Sequence, residues 1–255
     1  MNLEVLISCM HQKDGSIIKD TNITSDVLVI NQCDSKDYQE FSISSKRKAR
    51  IISNTERGLS RSRNMAIQNS LGDICLLVDD DEVLNEDYET NILEGFKQNP
   101  NADIIAFSLI YSNKKYSKKS YNVNYLSSLR IGSCQIAFRR KRIISKNIKF
   151  DTKFGSGSGN GPGEENLFLF ECLKKKLKVI YLPITIGTVN QESSQWFNGF
   201  DNTYFFNRGK IIKELMGSFL AVCYAFEFAV VKYPKYKKET SFFNAIKLMV
   251  KGIRH

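Results

Sequence analysis

The amino-acid sequence predicts an α/β protein with a mostly parallel, doubly wound central sheet. Short β-branched runs alternate with helix-compatible segments through the first 200 residues. The chain has 255 residues, of which 42% are hydrophobic and 25% charged. This composition suits a globular protein with a full core and excludes collagen-like, coiled-coil and disordered classes.

The N-terminal part of the chain begins with a predicted βαβ unit. Residues 3–9 and 26–31 are apolar, β-branched runs, and the polar segment between them is compatible with a helix. A strand over residues 50–53, a helix over 60–70 and a buried strand over 74–78 follow. This alternation is typical of a parallel sheet covered by helices.

The middle of the chain continues the alternation and contains a glycine-rich loop. A helix is predicted over residues 85–97, ended by Asn99-Pro100, with a strand over 103–111 behind it. Residues 155–163 hold five glycines, so we expect this loop to be mobile until a ligand orders it. A helix over residues 164–175 and a strand over 178–182, ended by Pro183, follow.

The C-terminal part differs in composition. Residues 215–231 are almost wholly apolar, but the run is short for a bilayer span and contains Glu227, so we expect a buried or interfacial helix. Residues 232–255 hold seven Lys or Arg and one Glu, and an amphipathic basic helix there suits an anionic membrane surface. We therefore predict a nucleotide-binding and catalytic domain over residues 1–200 and a helical, basic extension over 201–255.

The charge balance predicts an anionic partner. The net charge is +10, and residues 104–149 hold eleven Lys or Arg without one Asp or Glu. The N-terminus lacks a secretory signal, so we expect a cytoplasmic protein. Six scattered cysteines without a CxxC pair indicate buried thiols rather than disulfides or a zinc site.

Four consecutive carboxylates, Asp79 to Glu82, directly follow the buried strand over residues 74–78. Like charges this close repel one another unless a cation compensates them, and oxygen ligands at the carboxyl end of a strand suit Mg²⁺ or Mn²⁺ shared with a diphosphate. The alternative is a solvated acidic turn that caps the next helix.

Three further patterns are candidates for binding or catalysis. Arg57, Arg61 and Arg63 stand at the start of a helix, where guanidinium groups and free amides attract phosphate, or else form a solvated face. The pair Glu164-Glu165 opens a helix after the glycine-rich loop. These two residues either supply a general base or are ordinary capping residues. The single tryptophan, Trp196, is a stacking platform for a sugar or part of the core.

Two common nucleotide motifs are missing from the sequence. No GxGxxG follows the first strand and no GxxxxGK[ST] occurs, which disfavours a dinucleotide fold and a P-loop. The two histidines have no second histidine near them, so the usual zinc pattern is also missing.

Taken together and in order, several segments resemble family 2 glycosyltransferases of the GT-A fold. They are LISCMHQ, VINQ, RGLSRSRNMAI, GDICLLVDDDEV and GSGSGNGPGEENLFL, and the resemblance runs from residue 3 to about 200. It implies a Rossmann-like, mostly parallel sheet flanked by helices. It also implies transfer of a sugar from a nucleoside-diphosphate sugar, with a UDP-sugar expected, to a glycan or lipid-linked acceptor.

The resemblance assigns roles to particular residues. Glu165 takes the place of the catalytic base of inverting members, and Glu164 would bind acceptor or donor hydroxyls. Asp81 would be the direct ligand of Mn²⁺ or Mg²⁺, with Asp79 as the other metal-site carboxylate and Trp196 near the acceptor. The donor-binding residues would be Ser8, Gln12, Asn31, Arg57, Arg61, Asp79 and Asp80.

The sequence departs from the family pattern at two places. The base position is Glu rather than Asp, which leaves open whether Glu164 or Glu165 reaches the acceptor. The family's histidine after the strand that ends near Pro183 is missing, so either Asn190 or Glu192 replaces it or the metal binds more weakly.

Other functions remain alternatives at this stage. They are a sugar nucleotidyltransferase, a basic nucleic-acid-binding protein and a catalytically inactive homologue. The sequence CMHQKDGS after the first strand is poor for the phosphate loop of a nucleotidyltransferase. The acidic run would repel nucleic acid, so we expect no nucleic-acid partner, and the basic C-terminus fits work at the inner face of a membrane.

Overall fold

The computed structural model describes residues 1–111, 115–189 and 199–255 of the chain. Within these residues it contains ten strands, which are β1 (Leu3–Met10), β2 (Asp26–Gln32), β3 (Asp37–Ser44), β4 (Arg47–Asn54), β5 (Ile74–Asp79), β6 (Glu82–Leu84), β7 (Ile104–Ile110), β8 (Tyr121–Asn122), β9 (Ile136–Arg139) and β10 (Val179–Val189). It contains eight α-helices, which are α1 (Ser16–Asp20), α2 (Leu59–Asn69), α3 (Tyr88–Gln98), α4 (Tyr125–Ser128), α5 (Arg140–Ser145), α6 (Glu164–Lys174), α7 (Asn202–Tyr236) and α8 (Phe242–Arg254).

The strands form one sheet in the order β3-β4-β2-β1-β5-β9-β7-β10-β6, with β8 paired to β10. The pairs β4/β2, β2/β1, β1/β5 and β7/β10 are parallel, and β9 runs antiparallel between β5 and β7. The strands β4, β2, β1, β5, β7 and β10 therefore all point the same way. The prediction of a mostly parallel central sheet is confirmed.

Alternating residues of the central strands pack against different helices on the two faces of the sheet. Leu3, Val5 and Ile7 of β1 join a core with α1 and α3, whereas Leu6 joins a second core with α2, α5 and α6. Because successive side chains of a strand point to opposite faces, a strand buried on both sides has to be apolar at nearly every position. This explains the continuous apolar runs in β1, β2 and β5.

The C-terminal helices α7 and α8 pack on each other and form a third core. Gly209 of α7 lies against the backbone of Met249, and Gly252 of α8 lies against the backbone of Phe206. A side chain at either position would overlap a carbonyl oxygen of the other helix, so the two glycines permit this close approach. The helix α7 is long and apolar enough to cross a membrane by length and composition alone, and its regular geometry breaks at Gly217. The boundary at residue 200 stays a prediction.

Some local predictions differ from the structure. The strand predicted to end at Pro183 continues as β10 to Val189, because Pro183 lies in an irregular stretch where the pairing with β7 shifts register. The hairpin of β3 with β4 and the antiparallel strand β9 were not predicted. Cys223 is exposed and Cys33 is only partly buried, whereas the sequence led us to expect buried thiols at both positions.

Candidate active site

The carboxyl ends of three neighbouring strands bring several predicted site residues together. In the sheet register, Ser8 of β1 lies opposite Asp79 of β5, and Cys9 lies opposite Asn31 of β2. From β1 the chain passes first to β2 on one side and later to β5 on the other. Ligands of open α/β sheets bind at such a switch point, outside the carboxyl ends of the strands.

The acidic run forms a tight turn between β5 and β6, with Asp80 and Asp81 at its tip. Loss of water around Asp81, together with the charges of Asp79 and Asp80, raises its pKa to about 6. Desolvation and the charge of Asp79 also raise the pKa of Asp80. Both shifts have the direction expected for carboxylates whose mutual repulsion is not compensated.

Glu82 adds a buried carboxyl group to this turn. Its two carboxyl oxygens have no hydrogen-bond partner in the described part of the chain. Burial, and then the charge of Asp79, raise the pKa of Glu82 well above the usual carboxyl range. Burial therefore favours the neutral, protonated form of this carboxyl group next to the charge of Asp79.

The donor set of this turn fits Mg²⁺ or Mn²⁺, with Asp81 and Asp80 as the available ligands. Carboxylate oxygens are the ligands that these ions prefer, and Mg²⁺ is commonly held by one or two carboxylates together with substrate phosphates. Asp79 is occupied differently, because Arg63 and the thiol of Cys134 donate to its two oxygens at 2.8 and 3.0 Å. Within the described residues, no three acidic, Cys or His side chains already converge as a metal site.

Arg63 of α2 links the acidic turn to the start of α6. Its side chain is only 2% exposed. Its Nη1 donates to Glu164 at 2.6 Å, and its Nη2 donates to Asp79 at 2.8 Å and to the hydroxyl of Ser133 at 2.9 Å. A buried guanidinium group is stable only when such partners satisfy it. The two carboxylates, 85 residues apart in the sequence, are thus held at one place.

The two glutamates at the start of α6 have different surroundings. Glu164 is buried, pairs with Arg63 and accepts a hydrogen bond from the amide of Gly163 at 3.1 Å. Glu165 is partly exposed. Loss of water, and then the charge of Glu164, raise the pKa of Glu165 above its usual value. Glu165 therefore has a raised proton affinity, and it forms no ion pair with any residue that the structure describes.

The residues predicted to line the nucleotide pocket form an internal framework. Asn31 accepts a hydrogen bond from the Gln12 amide and donates one to the Gln12 carbonyl, both at 2.9 Å. The hydroxyl of Ser62 donates to that of Ser8 at 2.8 Å. These contacts fix the loop after β1 against β2 and α2. Direct binding of a nucleotide by Ser8, Gln12 and Asn31 stays a prediction.

Arg57 and Arg61 lie at the start of α2, on the more exposed side of the same region. Arg57 pairs with Asp34 at 2.6 Å and donates to the carbonyl of Cys33 at 2.8 Å. Arg61 is exposed and donates to the carbonyl of Arg57 at 3.0 Å. The Arg57 guanidinium group therefore lies at the carboxyl end of β2, and that of Arg61 lies beside the Arg57 backbone. Binding of a base or a diphosphate by these two arginines stays a prediction.

The glycine-rich loop has defined contacts with two helices. Ser60 of α2 donates to the carbonyl of Phe154 at 2.7 Å, and the amide of Leu59 donates to the carbonyl of Ser156 at 3.0 Å. On the other side, Lys210 of α7 donates to the side chain of Asn160 at 2.8 Å. The loop therefore connects the start of α2 to the C-terminal helices.

The linking role of Arg63 and the contacts of Cys134 and Ser133 with Asp79 were not predicted from the sequence. One signal was available for Arg63, since Ala66 and Ile67 follow it at helical spacing and all three are buried. Trp196, Asn190 and Glu192 lie outside the described residues.

Comparison with known proteins supplies the family and the fold. A family model described as Glycosyl transferase family 2 matches residues 8–160, which is more than half of the chain. The search of curated proteins finds no match.

Several solved structures are similar to this chain along most of its length. The S. aureus TarS fragment 1–349 in complex with UDP-GlcNAc has a TM-score of 0.62 and 13% identity, over 94% of this chain and 74% of that one. The same fragment with UDP has a TM-score of 0.58 and 14% identity, over 99% and 81%. The mannosyltransferase PcManGT from Pyrobaculum calidifontis, in complex with GDP-Man and Mn²⁺, has a TM-score of 0.53 and 11% identity, over 98% and 74%. At these identities the likeness shows the GT-A fold.

Proposed function

The chain belongs to glycosyl transferase family 2, and on that premise we propose that it moves a sugar from a nucleoside-diphosphate sugar to a hydroxyl group of a glycan or lipid-linked acceptor. One observation carries this proposal above the others. The buried Arg63 joins Asp79, at the acidic turn, to Glu164, beside Glu165. This link supports a site in which the acidic turn binds a diphosphate on one side and Glu165 accepts a proton on the other.

The donor lies across the carboxyl ends of β1, β2 and β5 in this proposal. TarS was solved with UDP-GlcNAc and with UDP, and PcManGT with GDP-Man. These complexes support a nucleoside-diphosphate sugar as the donor, and we propose a UDP-sugar. Ser8, Gln12 and Asn31 line the base and ribose side, Asp80 lies close to the ribose, and Arg57 and Arg61 contact the base or the diphosphate.

Mn²⁺ or Mg²⁺ is the proposed cofactor, held by Asp81 with Asp79 and Asp80 beside it. The Mn²⁺ in the PcManGT complex supports this choice. When bound, the ion offsets the negative charge that develops on the departing diphosphate. Because Asp79 already pairs with Arg63, we assign the direct ligand role to Asp81 and regard Asp79 as the carboxylate that fixes Arg63.

Glu165 is the proposed general base. It accepts the proton of the acceptor hydroxyl while the hydroxyl oxygen attacks the anomeric carbon and the bond from that carbon to the diphosphate oxygen breaks. Attack from the face opposite the leaving group inverts the anomeric configuration. Glu164 is held by Arg63 and the Gly163 amide, so we assign it the role of orienting the start of α6. It binds a sugar hydroxyl only through the oxygen lone pairs that these two donors do not use.

The helical extension over residues 201–255 is proposed to contact an anionic membrane surface. In this proposal the protein is cytoplasmic and binds peripherally to the inner face of the cell membrane. Phe243, Lys247, Lys251 and Arg254 share one exposed face of α8, and Phe243 is 80% exposed. A double charge reversal, Lys247→Glu with Arg254→Glu, should reduce pelleting with anionic vesicles. The matched reversal of the exposed Lys36 and Lys46 should not, and equal pelleting of both variants would contradict the membrane proposal.

The reaction itself is tested by the products that form. The 255-residue chain is incubated with UDP- or GDP-sugars, Mn²⁺ and a mixture of glycan and lipid-linked acceptors, and the release of nucleoside diphosphate is measured. We expect nucleoside diphosphate release with one class of donor and a loss of this release in Asp81→Ala. Glu86→Ala, in the next turn of the chain, is the control and should retain the release. Release of pyrophosphate from a nucleoside triphosphate and a sugar phosphate would instead identify a nucleotidyltransferase.

A further inference from the structure

A polar cavity lies beside β8 and α4, apart from the acidic turn. Its volume is about 460 Å³. We call it the β8 pocket, and its lining includes Lys115, Tyr121, Asn124, Ser127, Arg130 and Tyr181. None of the described residues that line it is acidic. A cavity that combines hydroxyl, amide and cationic groups with tyrosine rings suits a polar ligand such as a sugar.

The contacts of Tyr181 fix one wall of the β8 pocket. β8 pairs with β10 at Tyr121 and Tyr181, whose rings stack with centroids 4.8 Å apart. The Tyr181 hydroxyl donates to the carbonyl of Ser117 at 2.9 Å and forms a hydrogen bond with the hydroxyl of Ser108 at 2.6 Å. These contacts attach the segment before β8 to the central sheet. The wall is therefore part of the fold rather than a chance arrangement of exposed side chains.

Two cationic side chains line the same pocket. Lys115 and Arg130 are exposed, and neither forms an ion pair with any residue that the structure describes. Loss of water and the charge of Tyr181 raise the pKa of Tyr121, whereas Arg130 lowers it, so the guanidinium group lies near the Tyr121 hydroxyl. Cations that face a cavity without acidic lining residues favour an anionic ligand.

The nearby acidic turn opposes an anion in the pocket only weakly. Burial, and then the charges of Tyr181, Cys134 and Glu82, raise the pKa of Tyr116, which lines the pocket. The pocket is therefore within electrostatic reach of Glu82. Burial favours the protonated form of Glu82, however, and Asp79 of the same turn is paired with a buried arginine.

One connection between the β8 pocket and the proposed reaction site runs through α4. Ser127 lines the pocket, and the carbonyl of the next residue, Ser128, accepts a hydrogen bond from Asn166 at 3.3 Å. Asn166 directly follows Glu165 on α6. The helix that forms part of the pocket wall therefore contacts α6 one residue from the proposed base.

A second connection runs through the segment before β9. Gln135 lines the pocket, and Ser133, two residues earlier, contacts Arg63 and Asp79. Because a chain extends by at most about 3.6 Å per residue, the Cα atoms of Gln135 and Ser133 are no more than about 7 Å apart. In the sheet order, β10 lies on the side of β5 opposite to β1 and β2. The β8 pocket and the proposed donor site therefore lie on opposite sides of the acidic turn.

We propose that the β8 pocket binds an anionic sugar group of the acceptor, with Arg130 and Lys115 on its carboxylate or phosphate and the tyrosine side chains against the sugar. The inference rests on the proposed function and narrows its acceptor to glycans that carry a negative charge. It also gives a role to the basic block over residues 104–149, which the proposed donor site does not use.

The test compares three ligands that differ only at carbon 6 of one sugar. They are methyl β-glucuronide, methyl β-glucoside 6-phosphate and methyl β-glucoside, which carry a carboxylate, a phosphate and a hydroxyl. NMR titration of the 255-residue chain gives their Kd values. We expect at least one anionic glycoside to bind at least about tenfold more tightly than the neutral one. The tighter of the two anionic glycosides identifies the charged group as a carboxylate or a phosphate.

Single substitutions test whether the pocket cations recognise this charge. Arg130→Gln and Lys115→Gln should each weaken binding of the anionic glycoside about tenfold, because each removes one positive charge, and should leave the Kd of the neutral glycoside unchanged. Lys119→Gln is the matched control, since Lys119 is exposed in the same basic segment and lies outside the lining. Circular dichroism establishes that each variant is folded.

The position of the pocket beside the acidic turn is tested with a paramagnetic ion. In the presence of a nucleoside diphosphate, Mn²⁺ should broaden the proton signals of the bound anionic glycoside, whereas Mg²⁺ should not. Arg130→Gln should remove this broadening because the glycoside no longer binds. Absence of broadening in the wild type, or equal broadening in Arg130→Gln, would contradict an acceptor role for the pocket.

Several binding results would overturn the proposal. They are equal Kd values for the charged and neutral glycosides, no binding of any of the three, or equal losses in Arg130→Gln and Lys119→Gln. Inorganic phosphate that binds as tightly as the glycoside 6-phosphate would reveal an anion site without sugar recognition. A single-stranded oligonucleotide that binds through Arg130, without any glycoside binding, would assign the surface to nucleic acid.

Nucleoside diphosphate binding is measured on the same samples. If it is retained without binding of the charged glycosides, the pocket proposal alone fails. If the wild type binds no nucleoside diphosphate, the proposed function fails.

Discussion

At the scale of single residues, the site depends on one buried guanidinium group. Arg63 is surrounded by α2, the acidic turn, the Ser133 segment and the start of α6, and it also lies over the ring of Phe150 at 5.5 Å. Removal of water from a charged group is unfavourable by several kcal/mol unless other charges and hydrogen bonds compensate it. Asp79 and Glu164 compensate Arg63, and Arg63 in turn fixes both carboxylates.

Replacing Arg63 should destabilise the fold strongly. Arg63→Met leaves Asp79 and Glu164 without their cation in a buried place, and we expect the free energy of unfolding to fall by about 3–5 kcal/mol. Urea denaturation measures the change. Arg61→Met, on the same helix but exposed, should change it by no more than about 0.5 kcal/mol, and similar losses in both variants would contradict the role of Arg63.

Replacing Glu165 should affect the reaction rather than donor binding. Glu165→Gln keeps the shape of the side chain but removes the proton acceptor, so kcat should fall by about 10²–10⁴-fold while the Kd for the nucleoside diphosphate stays constant. Steady-state kinetics and calorimetry give the two values. Glu171→Gln, two turns further along α6, is the control, and an unchanged kcat in Glu165→Gln would show that another group is the base.

The raised pKa of Glu165 sets the pH dependence of the reaction. A base has to be deprotonated to act, and the folded protein holds the Glu165 proton to a higher pH than an ordinary carboxyl group of pKa 4.5 does. We therefore expect kcat/KM to rise with pH through a midpoint above 4.5 and to level off above the raised pKa. A rise in kcat/KM that is complete below about pH 5 would contradict this prediction. In Glu165→Gln, the rise of kcat/KM with pH should disappear.

At the scale of elements, the strands buried on both faces of the sheet were more predictable than the edge strand β3 and the antiparallel strand β9. The continuous apolar runs of β1, β2 and β5 indicated strands buried on both faces, and the sheet confirms this. β3 was not predicted because it lies at an edge and is almost wholly exposed, so it has no apolar pattern. β9 lies in a basic segment, and its position between β5 and β7 depends on pairings with residues at least 30 positions earlier in the sequence.

The close packing of α7 on α8 gives a prediction at this scale. Gly209→Ala and Gly252→Ala each place a methyl group on a carbonyl oxygen of the facing helix, so each should destabilise the protein by about 1–3 kcal/mol. Thermal unfolding measures the change. Gly132→Ala is the control, because its added carbon would meet nothing closer than 3.8 Å, and stability losses no larger than that control would contradict the packing.

At the scale of the whole molecule, the family and the order of the site segments were predictable, but the site's internal contacts were not. The acidic run and the Glu164-Glu165 pair are visible in the sequence because each is a local pattern. The contact of Arg63 with Glu164 spans 101 residues, and it depends on how α2 and α6 pack on the sheet. The β8 pocket was not foreseen for the same reason, since segments that lie far apart in the sequence form it.

The measurement that tests the account most directly is thermal unfolding of the wild type and Asp81→Ala with UDP, GDP, CDP or ATP, each with and without Mn²⁺. A nucleotide at about 100 times its Kd stabilises a protein by about 2.7 kcal/mol, which corresponds to a Tm increase of about 5–10 °C for a chain of this size. We expect such an increase with one nucleoside diphosphate, dependent on Mn²⁺ and lost in Asp81→Ala. No increase with any nucleotide, together with an increase caused by single-stranded nucleic acid, would contradict the account.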